Sequence, residues 1–188
     1  MYELRYIGLG ISIRKIVFAG VVAALYAGLT IAVMPLSYGP VQIRFSEVLC
    51  ILPFFFPFSV WGIFIGCIIA NILSPYGFLD LVVGSIASLL AAVSTMYIGK
   101  MAGRERVTTK AFACFPPVIF NAVLIGAMIA FYMVGTTEAF WMTFVINGLW
   151  VGLGQMIVLY LIGLPLMLYL PKTNVLNKLE NLYSGGDV

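Results

Sequence analysis

The chain has 188 residues, of which 63% are hydrophobic and only 9% are charged. Soluble domains carry about a quarter charged residues, so this composition excludes a water-facing globular fold and predicts an integral membrane protein. The formal net charge of +3 is too small to indicate nucleic-acid binding, and the chain has no histidine to act as a general base or metal ligand. Three cysteines lie inside apolar runs without CxxC spacing and are expected to be core residues: Cys50, Cys67 and Cys114.

The first apolar run, 16–36, follows Arg14 and Lys15 and is longer than the apolar core of a signal peptide, so we interpret it as a retained membrane span. Two lines of small residues run along it at a spacing of four: Ala19, Ala23 and Ala27, and beside them Gly20, Ala24 and Gly28. Small residues at this spacing let helices approach closely. Two interpretations stay open, namely packing inside the protein's own bundle or a flat docking face for a partner membrane protein.

The next segment is unusually polar for a connection between membrane helices. Gly39-Pro40 indicates a turn, and Ser46 is a candidate N-cap for a helix that places Glu47 in its first turn, where the helix dipole favours an anion. One interpretation is a capped helix with an Arg44–Glu47 ion pair. The other is a loop folded over a cavity, which offers the Glu47 carboxylate, the Arg44 guanidinium and the Gln42 amide to a polar ligand.

The number of spans follows from three clusters of basic residues, namely Arg5, Arg14 and Lys15, then Lys100, Arg104, Arg106 and Lys110, then Lys172 and Lys178. The positive-inside rule places all three clusters in the cytoplasm, so an even number of spans separates the first from the second. The apolar run 47–73 is therefore expected to break at Pro53–Phe58, and a second break at 135–138 divides the last apolar region.

The sequence thus predicts an all-α integral membrane fold. It forms a single transmembrane domain over residues 1–188, with both termini in the cytoplasm. Six transmembrane helices are expected at about 16–36, 45–56, 58–73, 79–99, 111–134 and 140–170, followed by an interfacial tail over 172–188. The second helix is short and must be tilted or sheltered by its neighbours.

Polar groups inside membrane helices are costly, so their positions carry information about function. The remaining candidates for a ligand site near the outer face are Tyr38, Asn71, Asp80, Asn121, Asn147, Trp150 and Gln155. The last three are predicted to share one helix face. For Asp80 the alternative is a helix N-cap, and for Asn147 and Gln155 it is hydrogen bonding between helices.

No nucleotide-binding GxxxxGK[ST], HExxH or GxSxG pattern is present, so we expect neither an enzyme nor a bound cofactor. Energised transport by such a chain must draw on a partner or on an ion gradient.

One run of residues is Tyr38-Gly-Pro-Val-Gln-Ile-Arg-Phe-Ser-Glu-Val48, followed by Leu52-Pro-Phe-Phe. It is similar to the signature region of the QueT family. Gly66-Cys-Ile-Ile-Ala-Asn-Ile-Leu-Ser74 and Asp80-Leu-Val-Val-Gly84 extend the resemblance, which covers roughly residues 15–170.

The resemblance implies an S component, which is the substrate-binding subunit of an energy-coupling factor (ECF) importer in a bacterial plasma membrane. It further implies six helices, a binding site near the outer face under the first loop, and a queuosine precursor as substrate. Ala19, Ala23 and Ala27 look like the motif that docks onto a transmembrane coupling subunit, which carries two cytoplasmic ATPases. Only these partners then use ATP.

A 7-deazaguanine base suits the polar residues of this outer face. A carboxylate such as Glu47 or Asp80 can accept hydrogen bonds from the amine and the ring N–H of the base. An amide such as Asn71 or Gln42 can donate a hydrogen bond to its carbonyl oxygen. Glu47→Gln is expected to weaken binding more than tenfold. The alternatives are an S component or a solitary carrier for another vitamin-like solute, and a membrane-embedded enzyme with Glu47 and Asp80 as acid and base.

Overall fold

The computed structural model describes residues 12–39 and 42–185, and the regular secondary structure of these residues is entirely helical. Its six main helices are α1 (Ile13–Ala32), α2 (Phe45–Phe55), α3 (Ser59–Asn71), α4 (Phe78–Met101), α5 (Val107–Val134) and α6 (Phe140–Lys172). A one-turn helix, Met34–Ser37, follows α1, and a short helix α7, Asn174–Glu180, follows α6. Arg5, Pro40 of the predicted turn and residues 186–188 of the predicted tail lie outside the described residues.

The helices alternate in direction, so their connections gather at two ends of a bundle. The loop end carries residues 33–39 and 42–44 and the connections 72–77 and 135–139. The Tyr38 hydroxyl there donates to the carbonyl oxygen of Ala70 at the end of α3. The basic end carries the basic residues Arg14, Lys15, Lys100, Arg104, Arg106, Lys110 and Lys172.

Helix α2 lies inside an arc formed by the other helices. Helix α1 packs on α3, α3 on α4, α4 on α5 and α5 on α6, while α2 contacts α1, α3, α4 and α6 from within. No residue between 42 and 60 is exposed. The neighbours therefore shelter this short helix, as the sequence led us to expect.

Four of the six helices, α1, α4, α5 and α6, are long and apolar enough to cross a membrane. A multi-pass membrane protein follows from them. Helices α2 and α3 are shorter, so the count of six complete crossings and the cytoplasmic position of both termini stay predictions.

The predicted break in the run 47–73 is confirmed. Helix α2 ends at Phe55 and α3 begins at Ser59, with Pro57 in the connection. Pro53 lies in the first turn of the α-helical part of α2, where a missing N–H costs nothing. The first seven residues of α2 form a 3₁₀ helix, which rises about 2 Å per residue and lengthens this short element.

Close packing of α1 on α3 buries one line of small residues. A Cβ added at Gly62 or Gly66 of α3 would lie 2.5 Å from the carbonyl oxygen of Ala19 and 2.7 Å from that of Ala23, respectively. Ala19, Ala23 and Ala27 are buried, which supports the packing interpretation of their spacing. Because α3 covers these three alanines, the exposed small residues of α1 are instead Gly20, Ala24 and Gly28.

The predicted tail packs across the basic end. Leu176, Leu179 and Tyr183 join the apolar cluster around Phe56, and the Tyr183 hydroxyl accepts a hydrogen bond of 3.1 Å from the Phe58 amide. The other apolar face of the tail, with Val175 and Leu182, is exposed. Such a two-sided helix suits a membrane interface.

Candidate functional site

A buried ion pair joins the α1–α2 connection to helix α4 at the loop end. Arg44 Nη2 donates to Asp80 Oδ2 at 2.9 Å, and both side chains are almost inaccessible to solvent. Arg44 Nη1 donates to Asn71 Oδ1 at 3.3 Å, and Nε donates to the Ser37 carbonyl at 3.2 Å. The Arg44–Glu47 ion pair, which was one of the two interpretations of this segment, is therefore wrong. Arg44 precedes α2 and turns to the first helical turn of α4, whereas Glu47 lies within α2 and turns to α1.

Asp80 does not cap α4, because the residue before the helix is Gly77 and Asp80 lies inside the first turn. The Ser74 hydroxyl donates to Asp80 Oδ2 at 2.6 Å, and Asn71 Nδ2 donates to the Asp80 carbonyl at 3.0 Å. Gly84 leaves the room for this arrangement, because a Cβ there would collide with the Asp80 carboxylate and lie 2.6 Å from Asn71 Nδ2. The backbone and side chain of Asp80 are therefore both held in place.

Glu47 accepts hydrogen bonds from three neighbouring side chains and is fully buried. The Tyr26 hydroxyl donates at 2.5 Å, the Cys50 thiol at 3.1 Å and the Ser88 hydroxyl at 3.4 Å. Both carboxylate oxygens of Glu47 are thus occupied by the protein itself, which ties α2 to α1 and α4.

Ser46 also binds α1 and does not act as an N-cap. The Thr30 hydroxyl donates to Ser46 Oγ at 2.7 Å, and the residue in the N-cap position is Arg44, which makes no capping bond with its side chain. The helix start is held by its neighbours instead.

Tyr38 supports the arginine from the other side. Its ring centroid lies 4.9 Å from the Arg44 guanidinium, a cation–π distance, while its hydroxyl donates to the Ala70 carbonyl at 2.7 Å. Burial raises the pKa of the Tyr38 phenol to about 12, although Arg44 lowers it. Burial lowers the pKa of the Arg44 guanidinium and Asp80 raises it, with a net rise, so the tyrosine is neutral and the arginine charged at physiological pH.

The two predicted asparagines, Asn121 on α5 and Asn147 on α6, each bond to their own helix. Asn121 is buried and donates to its own helix at Pro117, 2.9 Å away, and the half-buried Asn147 does the same at Thr143, 2.8 Å away. Both bonds lie within a helix. Among the described contacts, Asn147 therefore makes no hydrogen bond to another helix, which was the alternative role considered for it.

Trp150 and Gln155 do not share a face, contrary to prediction. Gln155 is buried, whereas Trp150 is 47% exposed on the outside of the bundle. Five residues at about 100° each place the two side chains about 140° apart around the helix, too far for one face. Trp150 is therefore not placed to stack on a ligand inside the bundle.

Four buried polar atoms have no hydrogen-bond partner among the described residues, namely Gln42 Nε2, Asp80 Oδ1, Ser85 Oγ and Gln155 Oε1. Such atoms are rare in folded proteins, and each one requires an explanation. Three of the four belong to residues that the sequence suggested as ligand contacts, and Ser85 is new.

Sequence reasoning missed five residues that hydrogen-bond in this network and the unpartnered Ser85. The five are Tyr26, Thr30, Cys50, Ser74 and Ser88. A signal was present in α4, where Asp80, Gly84 and Ser88 recur every four residues, a spacing that aligns them on one face.

The described residues contain no group of three or more His, Cys, Asp or Glu side chains arranged to hold a metal ion. The atoms that this part of the chain leaves free for a small polar ligand are the four without a hydrogen-bond partner.

Comparison with known proteins gives one family. The model described as QueT transporter matches residues 16–172. A protein of Lactococcus lactis subsp. cremoris (strain MG1363), named queuosine precursor transporter QueT, is 40% identical over 77 residues, which cover 40% of this chain and 45% of that protein. The matched stretch thus spans less than half of that relative. No solved structure matches the chain.

Proposed function

Because the chain belongs to the QueT transporter family, we propose that it is the substrate-binding membrane subunit of an ECF-type importer and binds a queuosine precursor with a 7-deazaguanine base. The observation that carries the proposal is the Asp80 carboxylate. One of its oxygens is held by Arg44 and Ser74, while the other is buried without a partner. A fixed carboxylate with one free oxygen can accept the N–H groups on the pyrimidine edge of a guanine-like base.

The orientation follows from charge. The loop end faces the outside of a bacterial plasma membrane, and the basic end faces the cytoplasm, in line with the positive-inside rule. Tyr38 and Arg44 then lie on the outer side of the site, where they are held to α3 and α4.

The transport energy comes from partners, because the chain has no recognisable nucleotide-binding motif. The partners are a transmembrane coupling subunit and two cytoplasmic ATPases. The exposed line of Gly20, Ala24 and Gly28 on α1 gives the coupling subunit a surface for close helix packing, next to the buried line of Ala19, Ala23 and Ala27.

The proposal is tested by purification in mild detergent from cells that make queuosine. Mass spectrometry of the retained small molecule should find a 7-deazaguanine, and an ATPase-bearing membrane partner should co-purify. A different vitamin-like molecule would keep the architecture and overturn the substrate. Uptake without any ATPase partner would indicate a solitary carrier, and chemical conversion of the bound molecule would indicate a membrane enzyme.

A further inference from the structure

A groove outside the polar network runs between the end of α4 and the start of α5, on the surface of the basic end. It has a volume of about 400 Å³, and its walls include Tyr97 and Met101 of α4 and Thr108, Thr109 and Phe112 of α5. The three large apolar side chains among these are each more than half exposed. The described part of the chain therefore leaves the groove uncovered, and a molecule from outside the bundle can enter it.

The groove lies at the depth of the lipid head groups. Helix α4 has 24 residues. At about 1.5 Å per residue it is about 36 Å long, whereas the hydrocarbon core of a bilayer is about 30 Å thick. The end of α4, with Tyr97 and Met101, therefore reaches the boundary between acyl chains and head groups. Tyrosine is common at this depth, because its ring is apolar and its hydroxyl is polar.

Positive charge surrounds the groove. Residues 97–112 include four basic residues and one acidic residue. The Lys100 ammonium lies 5.8 Å from the centroid of the Tyr97 ring, over one wall of the groove. Arg104 Nε donates to a backbone carbonyl of α4 at 3.0 Å, and the exposed Arg106 directly precedes α5. None of these three cations forms an ion pair with a described residue, so their charge is available to an anion.

An anionic amphiphile matches apolar walls with a cationic edge better than other molecules do. A free anion would meet the cations but leave the apolar walls uncovered, and a zwitterionic lipid would bring its own cation into an excess of positive charge. Clusters of lysine and arginine beside membrane helices attract anionic lipids for this reason. Helix α3 separates α4 from α1, so the coupling subunit proposed to dock on α1 does not cover this groove.

We propose that the groove binds an anionic phospholipid of the leaflet that meets the basic end. An acyl chain lies along Tyr97, Met101 and Phe112, and Lys100 and Arg106 bind the head group. The inference goes beyond the proposed function, because it depends neither on the substrate nor on which side of the membrane the basic end faces.

Native mass spectrometry tests the lipid on the full chain, released from nanodiscs that hold equal amounts of phosphatidylglycerol and phosphatidylcholine with the same acyl chains. The protein should retain phosphatidylglycerol at least about tenfold more than phosphatidylcholine. Equal retention of the two lipids would overturn the proposal. Inorganic phosphate should displace no more lipid than sodium chloride does at the same ionic strength. Displacement by phosphate beyond that level would indicate a site for a free anion and would overturn the lipid as occupant.

The double variant Lys100→Gln, Arg106→Gln tests the location of the site. Both residues are exposed, so the melting temperature in lipid-free detergent should stay the same, while the preference for phosphatidylglycerol should fall at least about fivefold. Arg14→Gln, Lys178→Gln is the matched control, because it removes the same charge from exposed positions outside the groove. An equal loss in the control, or an unchanged preference in the Lys100 and Arg106 variant, would overturn the groove as the binding site.

Discussion

Arg44 uses its whole guanidinium group to connect separate parts of the chain. It reaches the Ser37 carbonyl, Asn71 and Asp80 through three different nitrogens and stacks on Tyr38. Arginine suits this position because its planar group presents several donors in a fixed arrangement. A lysine would supply the charge but could not make these directed contacts together.

The first prediction concerns this ion pair. Arg44→Met should lower the free energy of unfolding by about 3–5 kcal/mol, because it leaves the Asp80 carboxylate buried and unpaired. The double variant Arg44→Met, Asp80→Leu should recover much of the loss, because it removes both charges. Chemical unfolding in detergent measures the stabilities of Arg44→Met, of Asp80→Leu alone and of the double variant. Arg14→Met, at an exposed position of the basic end, is the control, and a double variant as unstable as the sum of the single ones would contradict the pairing.

The second prediction concerns Glu47, for which the sequence led us to expect a loss of affinity of more than tenfold on mutation to Gln. The structure offers an indirect route to the same loss, because Glu47 is bonded to Tyr26 rather than left free. Tyr26→Phe should then reproduce much of the effect of Glu47→Gln on ligand affinity, and each variant should lose about 1–3 kcal/mol of stability.

Titration calorimetry and thermal unfolding of the two variants decide between the routes. A large loss of affinity in Glu47→Gln, together with normal affinity in Tyr26→Phe, would show that Glu47 touches the ligand directly. Cys114→Ala, in a buried cluster near the basic end and away from this network, controls for general effects of core mutations.

At the scale of the helices, the contact between α1 and α3 depends on glycines that leave no space for a side chain. Gly66 faces the backbone of Ala23, which cannot move aside as a flexible side chain could. The third prediction is that Gly66→Val lowers the free energy of unfolding by at least about 1–3 kcal/mol through overpacking. The matched control is Gly20→Ala on the outer side of α1, where nothing lies within 4 Å of an added Cβ.

Variants at Gly20 and Gly66 also separate packing within the bundle from docking to a partner. Gly20→Ala should leave unfolding almost unchanged, while a larger change at the same position, Gly20→Leu, should weaken co-purification of the coupling subunit. Full stability of Gly66→Val would contradict the close packing, and normal partner recovery with Gly20→Leu would remove the exposed line from the docking surface.

The helices could be predicted from the sequence more fully than the contacts between their side chains. Pro57 marked the break between α2 and α3, because proline restricts the local backbone, whereas Pro53 is accommodated in a helical turn of α2. The partner of Arg44 could not be found in this way. Glu47 is closer along the chain, but Asp80 is closer in space once α3 and the 72–77 connection return the chain to the loop end.

The packing between helices also decides which polar and aromatic residues of α6 are buried. Polar and aromatic residue types drew attention to Asn147, Trp150 and Gln155, but which of them turns inward depends on where α5 packs. Gly126 and Gly148 bring α5 and α6 into close contact, and that choice of face buries Gln155 and leaves Trp150 outside. The separation of about 140° between Trp150 and Gln155 follows from the sequence spacing alone, whereas only the packing shows which of their two faces is the inner one.

At the scale of the whole molecule, the two ends of the bundle carry different chemistry. The buried polar network belongs to the loop-end half, while the basic residues and the packed tail belong to the other end. This separation fits a protein that receives a solute at one membrane face and meets its energy-supplying partners near the other. It also makes the orientation of the bundle the central open prediction.

The last prediction tests that orientation by thiol labelling. The native cysteines Cys50, Cys67 and Cys114 are fully buried, so a single introduced cysteine at an exposed site is the one that reacts. Glu138→Cys, in the exposed connection at the loop end, should react with a membrane-impermeant maleimide in intact cells. Glu105→Cys, exposed at the basic end, should react only after the membrane is opened.

The pair of positions also tests the number of crossings. Glu105 lies between α4 and α5, so its side of the membrane depends on whether the short helices α2 and α3 count as two crossings. Labelling of Glu105→Cys in intact cells would mean either an odd number of crossings before it or an N-terminus outside the cell, and either result would contradict the six-span topology with cytoplasmic termini. Protection there, with labelling at Glu138→Cys, would place the Asp80 site on the outer side, where a solute enters.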